Sequence, residues 1–497
     1  MTLARWLVLV VALAGMALSV LRLEQGRGDV MATPLMVGTT PATVYRLPGD
    51  APAPVVVIAH GFAGSRQLME SFALTLAQAG YIAVSFDFLG HGRNSVPMSG
   101  DVTVIEGTTQ LLMDEVGRVS DAALGLTGAD GRLALLGHSM ASDVVVRQAI
   151  RDPRVDATVA LSMFSLAVTP TEPRDLLIIA GEWEGFLSAE ALGAAQLADP
   201  AAMFGQTVGD PAAGTGRRAV LAPHTEHVSV LYSATSMREA RDWLDAVFGR
   251  TSDAPVAQRG GWIALLLVST VALGWPLAGL CRRWRAAAPP VRLSRNTFLL
   301  ASVGPAVVTP LILWPVPTHF LPVLVADYLA VHFALYGTLA LLLLARARAL
   351  RIDLTSVLLA LPVAAFGIAL FGGLLDRYVA SFFPTPERFL IIMAIAVGAV
   401  PFMLSDAFLT EGGRAPLWRT LTTRTAALAS LGLAVALDPE NLFFLVMILP
   451  IILLFFLLFG TAGGWLGRAT WRPAAAGLGL GVFLAWALGV TFPLFAV

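Results

Sequence analysis

The second half of the chain sets the strongest limit on the fold. From Gly261 onward apolar runs follow one another to the C-terminus, near 261–280, 297–316, 320–345, 354–375, 388–405, 425–437, 442–461 and 474–496. A helix needs roughly 20 apolar residues to cross a bilayer, and every run except 425–437 comes close. Composition agrees: 56% of the 497 residues are hydrophobic and 13% charged, too little polar surface for a soluble globule of this size. The expected architecture for 260–497 is an all-α domain of about eight transmembrane helices in a lipid bilayer. The short run leaves a second arrangement open, in which 425–461 forms one re-entrant pair.

The N-terminus adds a ninth apolar run, Trp6 to Leu21, between Arg5 and Arg22. It reads as a signal anchor over 1–22; Ala17-Leu18-Ser19 is a weak cleavage signal that lies inside the run. Arginine placement tests the count, since the chain has no lysine. Arg282, Arg283, Arg285, Arg292 and Arg295 share one loop. Arg346, Arg348 and Arg351 share the second loop after it, Arg414, Arg419 and Arg424 the next alternate one, and Arg468 and Arg472 the last. The intervening loops 317–319 and 438–441 carry no arginine, and 376–388 carries Arg377 and Arg388. By the positive-inside rule the rich loops are cytoplasmic. Nine spans then put the N-terminus inside and residues 23–259 outside, which in a bacterium means an inner-membrane protein with a periplasmic or extracellular domain.

Residues 23–259 have another texture. Short apolar runs at 42–47, 54–61, 80–88, 132–139, 157–164, 175–181 and 218–223 alternate with helix-like stretches at 66–79, 108–126, 141–152, 186–198 and 235–248. Most of the short runs are continuously apolar, the mark of strands buried on both faces. Strands alternating with helices predict a doubly wound, mostly parallel α/β sheet. Ligands bind such sheets beyond the carboxyl ends of the strands, so chemistry belongs just after each run.

Few polar residues qualify. They are His60 to Ser65, Gly90 to Ser95, His138-Ser139-Met140, Gly181-Glu182-Trp183-Glu184 and His224-Thr225-Glu226-His227. A serine, a carboxylate and a histidine thus end three strands in that order. A serine hydroxyl needs a neighbouring base to become a nucleophile, and the base needs a carboxylate to hold its tautomer. The serine must also stand clear of the sheet on a tight strand-to-helix turn.

On these residues the segment resembles an α/β-hydrolase. "HGFAGS" is similar to the loop after that family's third strand, "FDFLGHGRNS" to its Asp-x-x-Gly-His-Gly-x-Ser turn, "GHSMA" to the Gly-x-Ser-x-Gly nucleophile elbow, "GEWE" to the segment supplying the acid, and "EHVSVL" to the turn supplying the histidine. The likeness covers roughly residues 40–250. It implies Ser139 as nucleophile, His227 as base and Glu184 as acid, with the backbone N–H groups of Phe62 and Met140 as oxyanion hole. Two departures stand out: Ala141 replaces the last elbow glycine, and the acid is Glu rather than the commoner Asp.

Rivals remain for two positions, Glu182 for the acid and His224 for the base. Asp175 opens its run and would lie about 20 Å from the active edge. Asp143 belongs to the helix after the elbow, facing solvent or supporting that helix N-terminus. His60 and His91 sit in glycine-flanked turns and read as scaffolding. No metal-ligand spacing and no phosphate loop appear, the lone Cys281 is remote, and a net charge of −1 gives no footing for nucleic acid. No cofactor is expected and no protein partner is indicated. Only about ten residues separate the runs at 157–164 and 175–181, too few for a lid domain. In the membrane half, Tyr328, His332 and Tyr336 share a helix face beside Asp327 and read as a hydrogen-bonded helix contact.

The expected function is a membrane-anchored serine hydrolase acting on an ester of a lipid-like substrate. The alternative is a transporter or assembly protein whose hydrolase-like domain binds or regulates.

Overall fold

The structure, a computed structural model, describes residues 2–99, 101, 105–318 and 320–496; residue 319, in one of the arginine-free loops, lies outside the described residues. The chain divides into two compact units. One gathers 19–264 with 376–381 and 493–497; the other gathers 1–18, 265–375 and 382–492.

The first of these is built on a nine-stranded sheet. Its strands are β1 (Met31–Val37), β2 (Thr40–Arg46), β3 (Ala53–Ala59), β4 (Ile82–Phe86), β5 (Ala129–His138), β6 (Val155–Leu161), β7 (Leu176–Gly181), β8 (Thr207–Val208) and β9 (Arg217–Ala222). Their order is β1-β2-β4-β3-β5-β6-β7-β9-β8. The six from β4 to β9 in that order run parallel, flanked by antiparallel β1, β2 and β8. The seven expected strands are all present. The sequence reading missed β8, two residues long, and β1, whose side chains are largely exposed and which carries Pro34. Proline is tolerated at a sheet edge, but it weakens the strand signal in sequence.

Burial on both faces explains the continuous apolar runs. In β7, Leu177 and Ile179 join the core of Phe72, Trp243 and Leu244, from helices Glu70–Gln78 and Ala234–Val247. The alternate residues Leu176, Ile178 and Ala180 join Val146, Ala191 and Ala195 on the other face. Period-two geometry thus sends successive side chains into two cores.

A buried ion cluster ties the start of this unit to its end. Glu70 pairs with Arg259 at 2.6 Å and with Arg27 at 3.0 Å, and Glu70 and Arg259 are 4% and 3% exposed. Removing one partner of a buried pair strands the other charge, which costs about 3–5 kcal/mol. Glu70→Ala is therefore expected to lower the midpoint of thermal unfolding of the full chain sharply, and a shift no larger than that of a surface control would contradict this.

In the other unit the helices are long. Among the described residues nine helical segments are long and apolar enough to cross a membrane: Leu3–Gln25, Gly260–Trp284, Arg295–Leu313, Ala326–Arg346, Leu354–Tyr378, Pro386–Leu409, Leu417–Leu437, Leu445–Thr470 and Pro473–Thr491. Across 425–461 the chain forms two separate helical segments, Leu417–Leu437 and Leu445–Thr470, each long enough to cross. The seventh segment starts at Leu417, eight residues before its apolar run, so Arg419 and Arg424 are helical rather than in a loop. Their charge hid that start in the sequence. Each is half-buried and paired, Arg419 with Glu411 at 3.1 Å and Arg424 with Asp406 at 3.3 Å. His332 Nε2 lies 3.1 Å from Ser430 Oγ, and Tyr336 donates to the Ser302 carbonyl at 3.0 Å. These are hydrogen bonds between helices, the contact expected for that face.

Candidate active site

The strand order reverses direction between β3 and β5. That is the topological switch point, where open α/β sheets hold their ligands. Ser139 stands there, between β5 and helix Met140–Arg151. Its backbone has φ 56° and ψ −120°, a region that non-glycine residues avoid and that persists where the surroundings enforce it. The turn is enforced by close packing: a Cβ on Gly137 would lie 2.5 Å from the Ala141 carbonyl oxygen. Ala141 itself is fully buried and fits, so its extra methyl leaves the elbow intact.

From Ser139 a relay of hydrogen bonds runs across the carboxyl ends of the strands. The Ser139 hydroxyl lies 2.7 Å from His227 Nε2. His227 Nδ1 lies 2.6 Å from Glu184 Oε1. Glu184 Oε2 accepts from the Gly181 N–H at 2.6 Å and from the Ser162 hydroxyl at 2.7 Å. These contacts fix the tautomer. Glu184 accepts a hydrogen bond from Nδ1–H, which keeps the proton on that nitrogen and leaves Nε2 as an acceptor facing the serine. Burial alone would raise the Glu184 pKa; the hydrogen bonds from His227, Gly181 and Ser162 outweigh it and hold the carboxyl below its ordinary value.

Of the two residues expected to supply oxyanion donors, Met140 follows the serine in the chain and Phe62 belongs to the loop that packs on it. Met140 is the first helical residue, where an N–H has no intrahelical acceptor. Phe62 follows Gly61, and a Cβ on Gly61 would come within 2.9 Å of Ser139 Cβ. The loop after β3 therefore touches the nucleophile through backbone, and only glycine permits that approach.

The alternates pair with each other outside the relay. Glu182 accepts from the His224 N–H at 2.7 Å and lies 3.4 Å from its ring, and the His224 side chain is 83% exposed. Asp143 accepts from Ser165 and Arg147 in the helix after the elbow. Asp175 accepts from the Gly216 N–H at the far end of β7. His60 is buried as scaffolding: its Nε2 accepts from the Phe88 N–H while Nδ1 donates to the Gly61 carbonyl. Burial pushes its pKa down. His91 Nδ1 lies 2.8 Å from the Leu89 carbonyl. Among the described residues no cluster of three metal-ligating side chains occurs.

Two residues take roles that the sequence did not assign. Ser162, at the end of β6, holds the second oxygen of Glu184. His138, beside the nucleophile, donates from Nε2 to the His227 carbonyl at 2.8 Å and packs on its ring at 5.0 Å. Burial, and then the neighbouring His227, pushes the His138 pKa down to about 4, so the ring stays neutral and keeps that bond at neutral pH. The signal for both was position alone, a polar residue just after an apolar strand.

The arrangement can activate a hydroxyl, stabilise an oxyanion and shuttle one proton. Residues 50–189 match the family model described as serine aminopeptidase, S33. The sheet unit is an α/β-hydrolase fold. Among solved structures, the α/β-hydrolase region resembles a hypothetical protein from Pseudomonas aeruginosa, with 13% identity over 44% of this chain and 94% of that one and a TM-score of 0.34. It also resembles a CIB-like hydrolase from Thermoplasma acidophilum, with 16% identity over 43% and 97% and a TM-score of 0.34. An epoxide hydrolase from Vigna radiata matches with 24% identity over 29% and 43% and a TM-score of 0.23. No curated protein matches the sequence.

Within this site the role of Ser162 can be tested through Glu184. Losing a hydrogen bond to a charged group costs about 1.5–3 kcal/mol. Ser162→Ala is expected to lower kcat roughly ten- to hundredfold with KM little changed, and to raise the pKa of the acidic limb of the pH–rate profile. Ser162→Thr keeps the hydroxyl and is expected to recover part of the loss. An unchanged profile in Ser162→Ala would remove Ser162 from the relay.

Proposed function

We propose that the chain is a membrane-anchored serine hydrolase that cleaves an ester of a lipid or lipophilic substrate, or passes on its acyl group, through an acyl-enzyme on Ser139. The observation that carries this reading is the unbroken Ser139–His227–Glu184 relay at 2.7 and 2.6 Å. In the first step Ser139 Oγ bonds to the substrate carbonyl carbon as its proton passes to His227 Nε2. The carbonyl oxygen gains the negative charge and is met by the Phe62 and Met140 N–H groups. Collapse breaks the ester bond, and His227 returns the proton to the leaving alcohol. Water, or an acceptor hydroxyl, then repeats the sequence and frees the serine.

The lipophilic substrate is supported by the surface around the relay. Phe164, Leu166, Trp183, Phe186 and Val228 lie at the carboxyl ends of β6, β7 and β9 or just beyond, and all are exposed. Phe164 and Phe186 pack ring to ring at 5.7 Å. Clustered exposed apolar side chains mark a binding surface. Only residues 162–175 connect β6 to β7, so no lid domain is inserted there. The arginine-rich loops support a bacterial inner-membrane protein with the N-terminus cytoplasmic, 1–22 as anchor, 23–259 periplasmic or extracellular, and 260–497 in the bilayer.

Each methylene buried in the transition state contributes about 0.8 kcal/mol. In a series of p-nitrophenyl esters, kcat/KM of the full-length protein is expected to rise roughly fourfold per carbon from acetate toward octanoate. A preference for acetate would contradict the lipophilic substrate. The family's description favours a second reading, release of an N-terminal residue by the same acyl transfer; faster turnover of aminoacyl amides than of any ester would establish it.

A further inference from the structure

The helical unit holds a cavity of about 590 Å³ that the hydrolase reading does not use. Its size falls within the range of small-molecule sites, but its wall is almost wholly apolar. One end is formed by Arg283, Trp284 and Thr355, and the other by Gly367, Phe459 and Phe483. Thr355 and Gly367 lie on the same helical segment, Leu354–Tyr378, twelve residues apart. At 1.5 Å per residue that is about 18 Å, close to one leaflet of a hydrocarbon core roughly 30 Å thick. The lining therefore extends from one end of the helical segments to about half-way along them.

Two further observations mark this wall as unusual. Gly367 and Phe459 belong to π-helical turns, Phe366–Phe371 and Phe456–Gly460. Such turns interrupt α-helices frequently at functional sites. The charge is one-sided: Arg283 has no carboxylate partner among the described residues and stacks over Trp284 at 4.0 Å. Arg282 beside it also lacks one among the described residues, whereas Asp353, two residues before Thr355, is paired with Arg472. A guanidinium at the mouth of an apolar slot one leaflet deep suits an anionic head on a hydrocarbon tail.

We propose that this cavity binds the acyl chain of a phospholipid with an anionic headgroup, the phosphate meeting Arg283 and the chain end reaching Phe459 and Phe483. The site is independent of the catalytic relay and stands whether or not Ser139 turns over an ester.

The test is photo-crosslinking of the full-length protein in phosphatidylcholine nanodiscs. The probe is a trace of phosphatidylglycerol carrying a diazirine at the end of one acyl chain. Cross-links are expected to concentrate on the peptides containing Phe459 and Phe483. Unlabelled phosphatidylglycerol is expected to compete, and free glycerol phosphate is not. One arginine near a bilayer surface favours an anionic lipid by about fivefold, so Arg283→Gln should reduce these cross-links about fivefold. Ala462→Phe, which fills the slot, should remove them while the rest of the cross-link pattern stays. Cross-links spread evenly over the lipid-facing helices, or equal competition by phosphatidylcholine, would overturn the assignment. Competition by free glycerol phosphate would reduce the site to a phosphate contact without a chain, which also overturns it.

Discussion

Ser139→Ala is expected to lower turnover of an activated ester by about 10⁶-fold while the protein stays folded. The size follows from the geometry. The hydroxyl is the group that His227 Nε2 faces at 2.7 Å, and without it the base has no nucleophile to deprotonate. Loss of one member of such a relay costs nearly as much as loss of all, because the members act as a unit. The residual rate comes from the oxyanion donors, which the substitution leaves in place and which support about 10³–10⁴-fold over water. Stability should change little. The Ser139 N–H bonds to the Leu161 carbonyl through backbone, and the tight packing at Gly137 that enforces the elbow is untouched. Steady-state kinetics with a thermal-unfolding control checks both halves. A loss below tenfold would mean that the ester is cleaved elsewhere.

Glu184→Gln carries the second largest expected effect, a loss of about 10⁴-fold in kcat. The carboxylate makes three bonds, all as acceptor: Oε1 from His227, and Oε2 from both Gly181 N–H and Ser162. An amide has only one acceptor oxygen. If that oxygen faces His227, the NH₂ group opposes the Gly181 N–H, donor against donor. If it faces Gly181 and Ser162, the NH₂ group points at His227 Nδ1 and forces the proton to Nε2, where the imidazole can no longer act as base. Either orientation breaks the relay. Glu184→Asp keeps both acceptors but shortens the reach by one methylene, so it should lose less than the amide. Activity of Glu184→Gln within tenfold of wild type would remove this carboxylate from the mechanism.

The sheet was legible because its strands are buried on both faces, and a run such as "PVVVIA" leaves few alternatives. The candidate site was legible for a related reason: an α/β sheet collects its chemistry at strand ends, so Ser139, Glu184 and His227 could be read as a set before any contact was known. The choice of Glu184 over Glu182 came from resemblance. The structure adds that both glutamates lie in the turn after β7, where Glu184, at the start of helix Gly185–Gln196, faces His227 and Glu182 faces the exposed His224. Ser162 and His138 escaped because their roles depend on which strand ends are neighbours, a tertiary fact. The edge strand β1 escaped because exposed residues and Pro34 dilute its pattern, and the start of the Leu417–Leu437 helix because Arg419 and Arg424 find partners inside the helical unit. Charge that is paired within a bundle looks, in sequence, like a loop.

Active-site labelling tests the central claim most directly. The full-length protein, purified in detergent, is treated with a fluorophosphonate probe alongside Ser139→Ala and His227→Ala, and the modified peptide is identified by mass. The account predicts one adduct, on Ser139, formed by the wild type, absent from Ser139→Ala and strongly slowed in His227→Ala. A folded wild type that forms no adduct, or an adduct that survives in Ser139→Ala, would contradict it.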